Sequence, residues 1–208
     1  MKKILFLGDS ITDATRNRDE RDYISAYGYG YVIQIAGELY LQPKKYEILN
    51  KGISGDKVVD LYARIKKDVW NETPDVLSIL IGVNDVWHEI FDRNGVEPDR
   101  FENVYDLLLK ETKEKLPDTR IILMEPFVLR GSATDAEFEK FSHVRDYAKI
   151  VKKLAEKYKT DFVSLQNVFD ALSPEYGETA LLMDGVHPNI AGSKIIAEKW
   201  LECFYKGE

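Results

Sequence analysis

Short apolar runs alternate with longer amphipathic stretches along almost the whole sequence, and few folds tolerate that rhythm. Runs at 4–7, 46–49, 76–81, 120–124 and 161–165 have strand length and carry little polar character. Between them, 31–41 places Val32, Ile35, Ala36 and Leu39 on one helical stripe, and 58–69 does the same with Val58, Leu61, Tyr62, Ile65 and Val69. Stretches 101–116, 138–158 and 190–204 repeat the pattern. A strand apolar on both faces must be covered on both faces, which predicts the α/β class: a parallel sheet between two helical layers. Right-handed crossovers then narrow the topology to a three-layer α/β/α domain of flavodoxin-like order with five strands. The 208 residues fit a single domain spanning 1–208, with no repeat or interdomain linker.

Charge and cysteine content exclude several classes. The formal net charge of -7 gives no electrostatic support for nucleic-acid binding. With Cys203 as the only cysteine, no internal disulfide forms, which suits a cytoplasmic setting. The apolar start at 4–7 ends at Gly8-Asp9, short of the roughly 7–15 residues of a signal-peptide core. No run approaches the roughly 18 apolar residues of a membrane span, so membrane insertion is not expected.

In open sheets of this kind ligands bind at the carboxyl ends of the strands. Gly8-Asp9-Ser10-Ile11 follows the first run and Asn50-Lys51-Gly52-Ile53-Ser54-Gly55 the second. Gly82-Val83-Asn84-Asp85 follows the third, and Asp184-Gly185-Val186-His187-Pro188 precedes the last helix. One rim therefore gathers a hydroxyl, a glycine amide, a side-chain amide, an acid and an imidazole. A serine hydroxyl needs a base to take its proton, and histidine titrates nearest neutrality. An acid must fix the tautomer of that histidine, and Asp184 stands three residues before His187, within reach of one turn.

With these four blocks in order, the sequence resembles the SGNH, or GDSL-type, hydrolases. The resemblance implies Ser10 as nucleophile and Asp184 and His187 as its triad partners. It implies an oxyanion hole from the Ser10 amide, the Gly52 amide and the Asn84 side chain, and no cofactor or metal. Ile11 stands where the family's nickname has leucine, a conservative change. Gly8 to Asp13, Asn50 to Gly55 and Ile81 to Trp87 further resemble the intracellular acetylxylan esterases of that family. This implies an O-acetyl ester on a sugar or xylo-oligosaccharide as substrate and assembly into homo-oligomers.

Other readings stand beside these. A broad carboxylesterase or lysophospholipase-like lipase would use the same triad on longer chains. A sugar-binding protein could keep the fold without turnover. An aspartyl phosphatase would need an Asp-x-Asp arrangement after the first strand, which Ser10-Ile11 does not supply. Asp9, Tyr29, Trp87 and Glu125 are expected around the substrate pocket, although Tyr29 and Trp87 read equally well as core aromatics. Asp13 is expected to hold the nucleophile turn and Asp85 to anchor the site from behind, while His88 and His143 read as structural or solvated. The stretches 16–30 and 125–137 read as long functional loops.

Overall fold

The computed structural model describes residues 1–19 and 24–207. Part of the expected functional loop 16–30, residues 20–23, therefore lies outside the described residues. Five parallel strands form the sheet: β1 (Lys2–Gly8), β2 (Tyr46–Gly52), β3 (Val76–Leu80), β4 (Arg120–Met124) and β5 (Asp161–Val163), in the order β2-β1-β3-β4-β5. Nine α-helices are seen among the described residues: α1 (Ser10–Asp13), α2 (Tyr31–Tyr40), α3 (Val58–Ile65), α4 (Val83–Asp92), α5 (Pro98–Lys115), α6 (Phe138–Phe141), α7 (Val144–Tyr158), α8 (Gln166–Tyr176) and α9 (Ile190–Lys206). The expected α/β architecture and strand order are both present.

The central strands explain why the runs were legible. Ile4, Leu5, Phe6 and Leu7 of β1 are fully buried, and β3 is buried along its whole length, because helices cover both faces of the sheet. Each helix buries one stripe, as α7 does with Val144, Tyr147, Ala148, Val151, Leu154 and Ala155. Phe6 packs against Trp200 of α9 on one side of the sheet. On the other, Phe101 and Tyr105 of α5 and Tyr147 of α7 form an edge-on aromatic row. Truncating one such side chain to alanine would cost about 3–5 kcal/mol.

Three helices were not expected: α1 is a single helical turn where Ser10 reads as a loop residue. α4 begins inside what reads as a loop after β3, and α8 is a weakly amphipathic helix with only Gln166 and Phe169 buried. The single helix expected over 138–158 is broken at Ser142 and His143. β2 runs to Gly52, three residues beyond its apolar run. The chain leaves β1 toward β2 on one side and then crosses to β3 on the other. The crevice outside the carboxyl ends of β1 and β3 is thus the topological switch point.

Candidate active site

Ser10 opens α1 immediately after β1, and Asp9 caps that short helix by accepting the Ile11 N–H at 3.0 Å. The turn ends with Ala14 in a left-handed conformation, which swings the chain away and leaves Ser10 on the rim. The Ser10 hydroxyl lies 2.9 Å from Nε2 of His187. Nδ1 of the same ring lies 2.7 Å from Oδ2 of Asp184, whose Oδ1 accepts the backbone N–H groups of Val186 and His187 at 3.0 and 2.8 Å. The three side chains expected to form a triad are therefore in one hydrogen-bonded line.

The electrostatics follow from those bonds. Partial burial alone would raise the Asp184 carboxyl, but the bonds from the His187 ring and the two backbone N–H groups bring it down to about 2. That ionised carboxylate in turn raises the His187 imidazole above its ordinary value, against the opposing effect of burial. The tight turn 184–187 is itself buttressed by the loop after β4. Leu129 N–H donates to the Gly185 carbonyl at 2.9 Å and Ala133 N–H to the Asp184 carbonyl at 3.0 Å. A Cβ on Gly131 would lie 2.3 Å from the Asp184 carbonyl carbon, so only glycine admits this contact. The expected functional loop 125–137 thus meets the site by holding its acid and base.

Gly52 does not fit its expected part in an oxyanion hole. Because β2 extends to it, Gly52 is buried in the sheet and its N–H is bonded to the Asn50 side chain at 2.9 Å. It is glycine for another reason: a Cβ there would lie 2.2 Å from the Asp13 nitrogen, so the residue lets α1 press onto β2. Gly55, three residues on, has a backbone N–H with no acceptor among the described residues. It sits in a turn closed by Asp56 N–H to the Ile53 carbonyl, at φ +88. That turn is wedged between the other two expected donors. Ile53 N–H bonds the Gly8 carbonyl on the α1 side, and Asn84 Nδ2 donates to the Asp56 carbonyl at 3.1 Å on the α4 side. The Ser10 N–H, first in its helix, has no intrahelical partner either.

The four pocket expectations divide. Tyr29 is exposed and borders the triad with Ile11, Ala14, Gly30, Met183 and Pro188, around a pit of about 20 Å³. Trp87 has its ring 6.1 Å from that of His187 and packs edge-on against Phe141, so it is a wall of the site and part of an aromatic cluster at once. Asp9 is only 1% exposed and cannot touch a substrate. Burial pushes its carboxyl up to about 7, and its Oδ2 has no partner. Glu125 is engaged elsewhere: Oε2 accepts from Ser164 Oγ and from the N–H groups of Leu165 and Gln166, at the start of α8. Its place on β4's end points it toward β5, away from Ser10, which stands against the expected substrate contact.

Asp13 and Asp85 both tie the loop after β2 in place. Asp13 accepts the N–H and hydroxyl of Ser54 and the Arg18 guanidinium, while buried Asp85 accepts the Val58 N–H at 3.1 Å. Asn50 was not singled out, yet its buried amide bonds the Thr12 and Tyr27 carbonyls and binds α1 to its surroundings. A polar residue closing an otherwise apolar strand was the available signal. A larger cavity of about 660 Å³ lies on another face of α4, between Ile90, Arg93, Lys140 and Tyr147, with no serine or cysteine in its lining. Among the described residues no group of His, Cys, Asp or Glu could hold a metal ion, and no helix is long and apolar enough to cross a membrane.

A serine–histidine–aspartate line at the switch point of a doubly wound sheet is the geometry that acyl-transfer hydrolases use. Residues 6–195 match the GDSL-like lipase/acylhydrolase family, and the chain belongs to that family and is a carboxylic ester hydrolase. It is 38% identical over 207 residues to an acetylxylan esterase of Geobacillus stearothermophilus, covering 96% of this chain and 92% of the relative. The crystal structure of that kind of enzyme, Axe2 of the same organism, superposes with a TM-score of 0.87 over 97% of this chain and 93% of its own, at 38% identity. A GDSL-like lipase of Parabacteroides merdae superposes with a TM-score of 0.89 at 41% identity, covering 97% of this chain and 94% of its own. Three catalytic mutants of Axe2, in which a serine, a histidine and an aspartate are each replaced by alanine, match comparably well.

Proposed function

We propose that this esterase removes short acyl groups, acetyl above all, from sugar hydroxyls such as those of xylo-oligosaccharides. His187 takes the Ser10 proton as the hydroxyl attacks the ester carbonyl, and Asp184 steadies the imidazolium that forms. The Ser10 and Gly55 N–H groups and Asn84 Nδ2 receive the negative charge of the tetrahedral intermediate. Protonated His187 then gives its proton to the leaving sugar oxygen. A water molecule attacks the acyl-enzyme by the same route and releases the acid and free Ser10.

The continuous Ser10–His187–Asp184 hydrogen-bond line carries the mechanism. The preference for a small acyl group rests on the likeness to an acetylxylan esterase and on the small pit beside Ser10 between Ile11, Tyr29, Met183 and Pro188. The sugar assignment rests on the likeness to an acetyl-xylooligosaccharide esterase and on Trp87 and Tyr29, whose rings offer flat apolar contact beside the triad. Hydrolysis of p-nitrophenyl acetate and octanoate by wild type and Ser10→Ala tests it, followed by acetylated xylo-oligosaccharides. Acetate-selective turnover that disappears in the variant is the expected result. Octanoate preference would move the reading to a lipase-like enzyme, and turnover surviving in Ser10→Ala would overturn the triad. Removing one oxyanion donor by Asn84→Ala should lower kcat by roughly 10²–10³-fold with the fold intact.

A further inference from the structure

Three neighbouring side chains of α4 are laced, one after another, to the turn that carries Gly55. Asn84 Nδ2 reaches the Asp56 carbonyl at 3.1 Å, and Asp85 Oδ1 receives the Val58 N–H at 3.1 Å. Nε2 of His88, one helical turn on, lies 3.1 Å from the Gly55 carbonyl. Positions i, i+1 and i+4 share one flank of a helix, so the three ties form a single seam. The opposite flank of the turn is tied to α1, where Ser54 gives both its N–H and its hydroxyl to Asp13.

Between these anchors sits the softest joint of the loop. Gly55 has φ +88, and glycine crosses to negative φ without the Cβ penalty that confines other residues. A glycine that drifts in such a turn carries its N–H and its carbonyl with it, so fixing the carbonyl steadies the N–H. The Gly55 N–H is the one that serves the oxyanion. Asp13 grips the residue before it and His88 grips the carbonyl after it. A carbonyl only accepts, so Nε2 of His88 must carry the hydrogen. Oδ2 of Asp92 lies 2.9 Å from Nδ1 on the other side of the ring, and as that oxygen also only accepts, the two bonds draw on a hydrogen at each ring nitrogen.

We infer that His88 is a positioning residue for catalysis: its Nε2–H holds the Gly55 carbonyl and so keeps the Gly55 N–H aimed at the oxyanion. The inference rests on the oxyanion reading given under Proposed function. His88 touches neither Ser10 nor substrate in this role and acts through the turn alone. Its effect therefore falls on the transition state and not on ground-state binding.

The test compares wild type, His88→Ala, His88→Gln and Ser10→Ala on p-nitrophenyl acetate, with thermal unfolding of each. A loosened donor should cost less than a deleted one, so His88→Ala should lose about tenfold in kcat while KM stays within about twofold. Glutamine supplies an uncharged N–H of similar reach and should recover most of the loss. Wild-type kcat in His88→Ala would overturn the inference. So would a His88→Gln variant that melts like wild type yet turns over no faster than His88→Ala. Ser10→Ala separates the two layers: if it stays active, the triad reading fails, whereas an inert Ser10→Ala beside an unaffected His88→Ala sinks the positioning role alone.

Discussion

Asp184 and the pair Asp9 and Asp85 lie within the same site region, yet the protein takes their identical carboxyls to opposite ends of the range. Asp184 is partly exposed and receives three hydrogen bonds, one of them from the His187 ring, and its carboxyl sits near 2. Asp9 and Asp85 are 1% and 0% exposed, each receives a backbone N–H on Oδ1, and each leaves Oδ2 without a partner. Burial pushes them to about 7 and about 8, and the charge of Asp9 adds to the rise at Asp85. Neither charge nor neutrality is a property of the residue type here; the number of donors against the depth of burial decides it.

The largest expected effect strikes the charged member. Asp184→Asn keeps the shape but removes the charge and can present its N–H₂ to Nδ1, selecting the wrong tautomer, so kcat/KM should fall by about 10³–10⁴-fold. The same change shifts the pH profile. Base catalysis needs neutral His187, so wild-type activity rises with pH through a raised imidazole value. With the Asp184 charge gone, the acid limb of the residual activity should move to lower pH. A limb that stays in place would mean Asp184 does not set the histidine.

The neutral members predict a smaller effect on stability. Carboxyls raised from 3.8 to about 7 and about 8 contribute stability that is present below the unfolded value and is lost as pH rises through the folded ones. Wild type should therefore lose stability in urea between about pH 4 and pH 8, over the window those two values span. Asp85→Asn, which retains an oxygen for the Val58 N–H, should flatten that slope, as should Asp9→Asn. An unchanged slope in both would show that these carboxyls stay ionised. Asp184 has the opposite sign, its contribution disappearing only as pH falls from 3.8 toward about 2.

Glu125 offers the smallest effect and a control for the comparison. It caps α8 far from the triad, so Glu125→Ala should lower stability by about 1–2 kcal/mol, read as a few degrees in Tm. Its kcat on p-nitrophenyl acetate should match wild type. A large loss of kcat at constant KM would restore it to the site.

The sheet and the pairing of Asp184 with His187 are legible because both rest on local rules. Strands buried on two faces read as unbroken apolar runs, and Asp184 and His187 lie within one turn of chain. What was misread depended on where elements stop. The apolar run of β2 ends at Leu49, but its ladder with β1 continues through Asn50 and Lys51 to Gly52, so a glycine that reads as a loop amide stands inside the sheet. α4 carries a regular apolar stripe of Val83, Val86, Trp87 and Ile90, but its first residues also form the motif Gly82-Val83-Asn84-Asp85, which reads as a loop after β3. α8 carries Pro174 inside it and buries little, which leaves weak periodicity. Asp9 looked like a pocket residue by adjacency to Ser10, but a helix-capping side chain folds back toward its own helix and under the rim.

Ser10 and His187 stand 177 positions apart, one just after the first strand and the other just before the last helix. During synthesis 177 residues must follow Ser10 before its hydroxyl can meet the His187 ring. On the proposed mechanism, recovery of ester cleavage after denaturation reports closure of this long-range contact, which forms alongside others of comparable span such as Phe6 against Trp200.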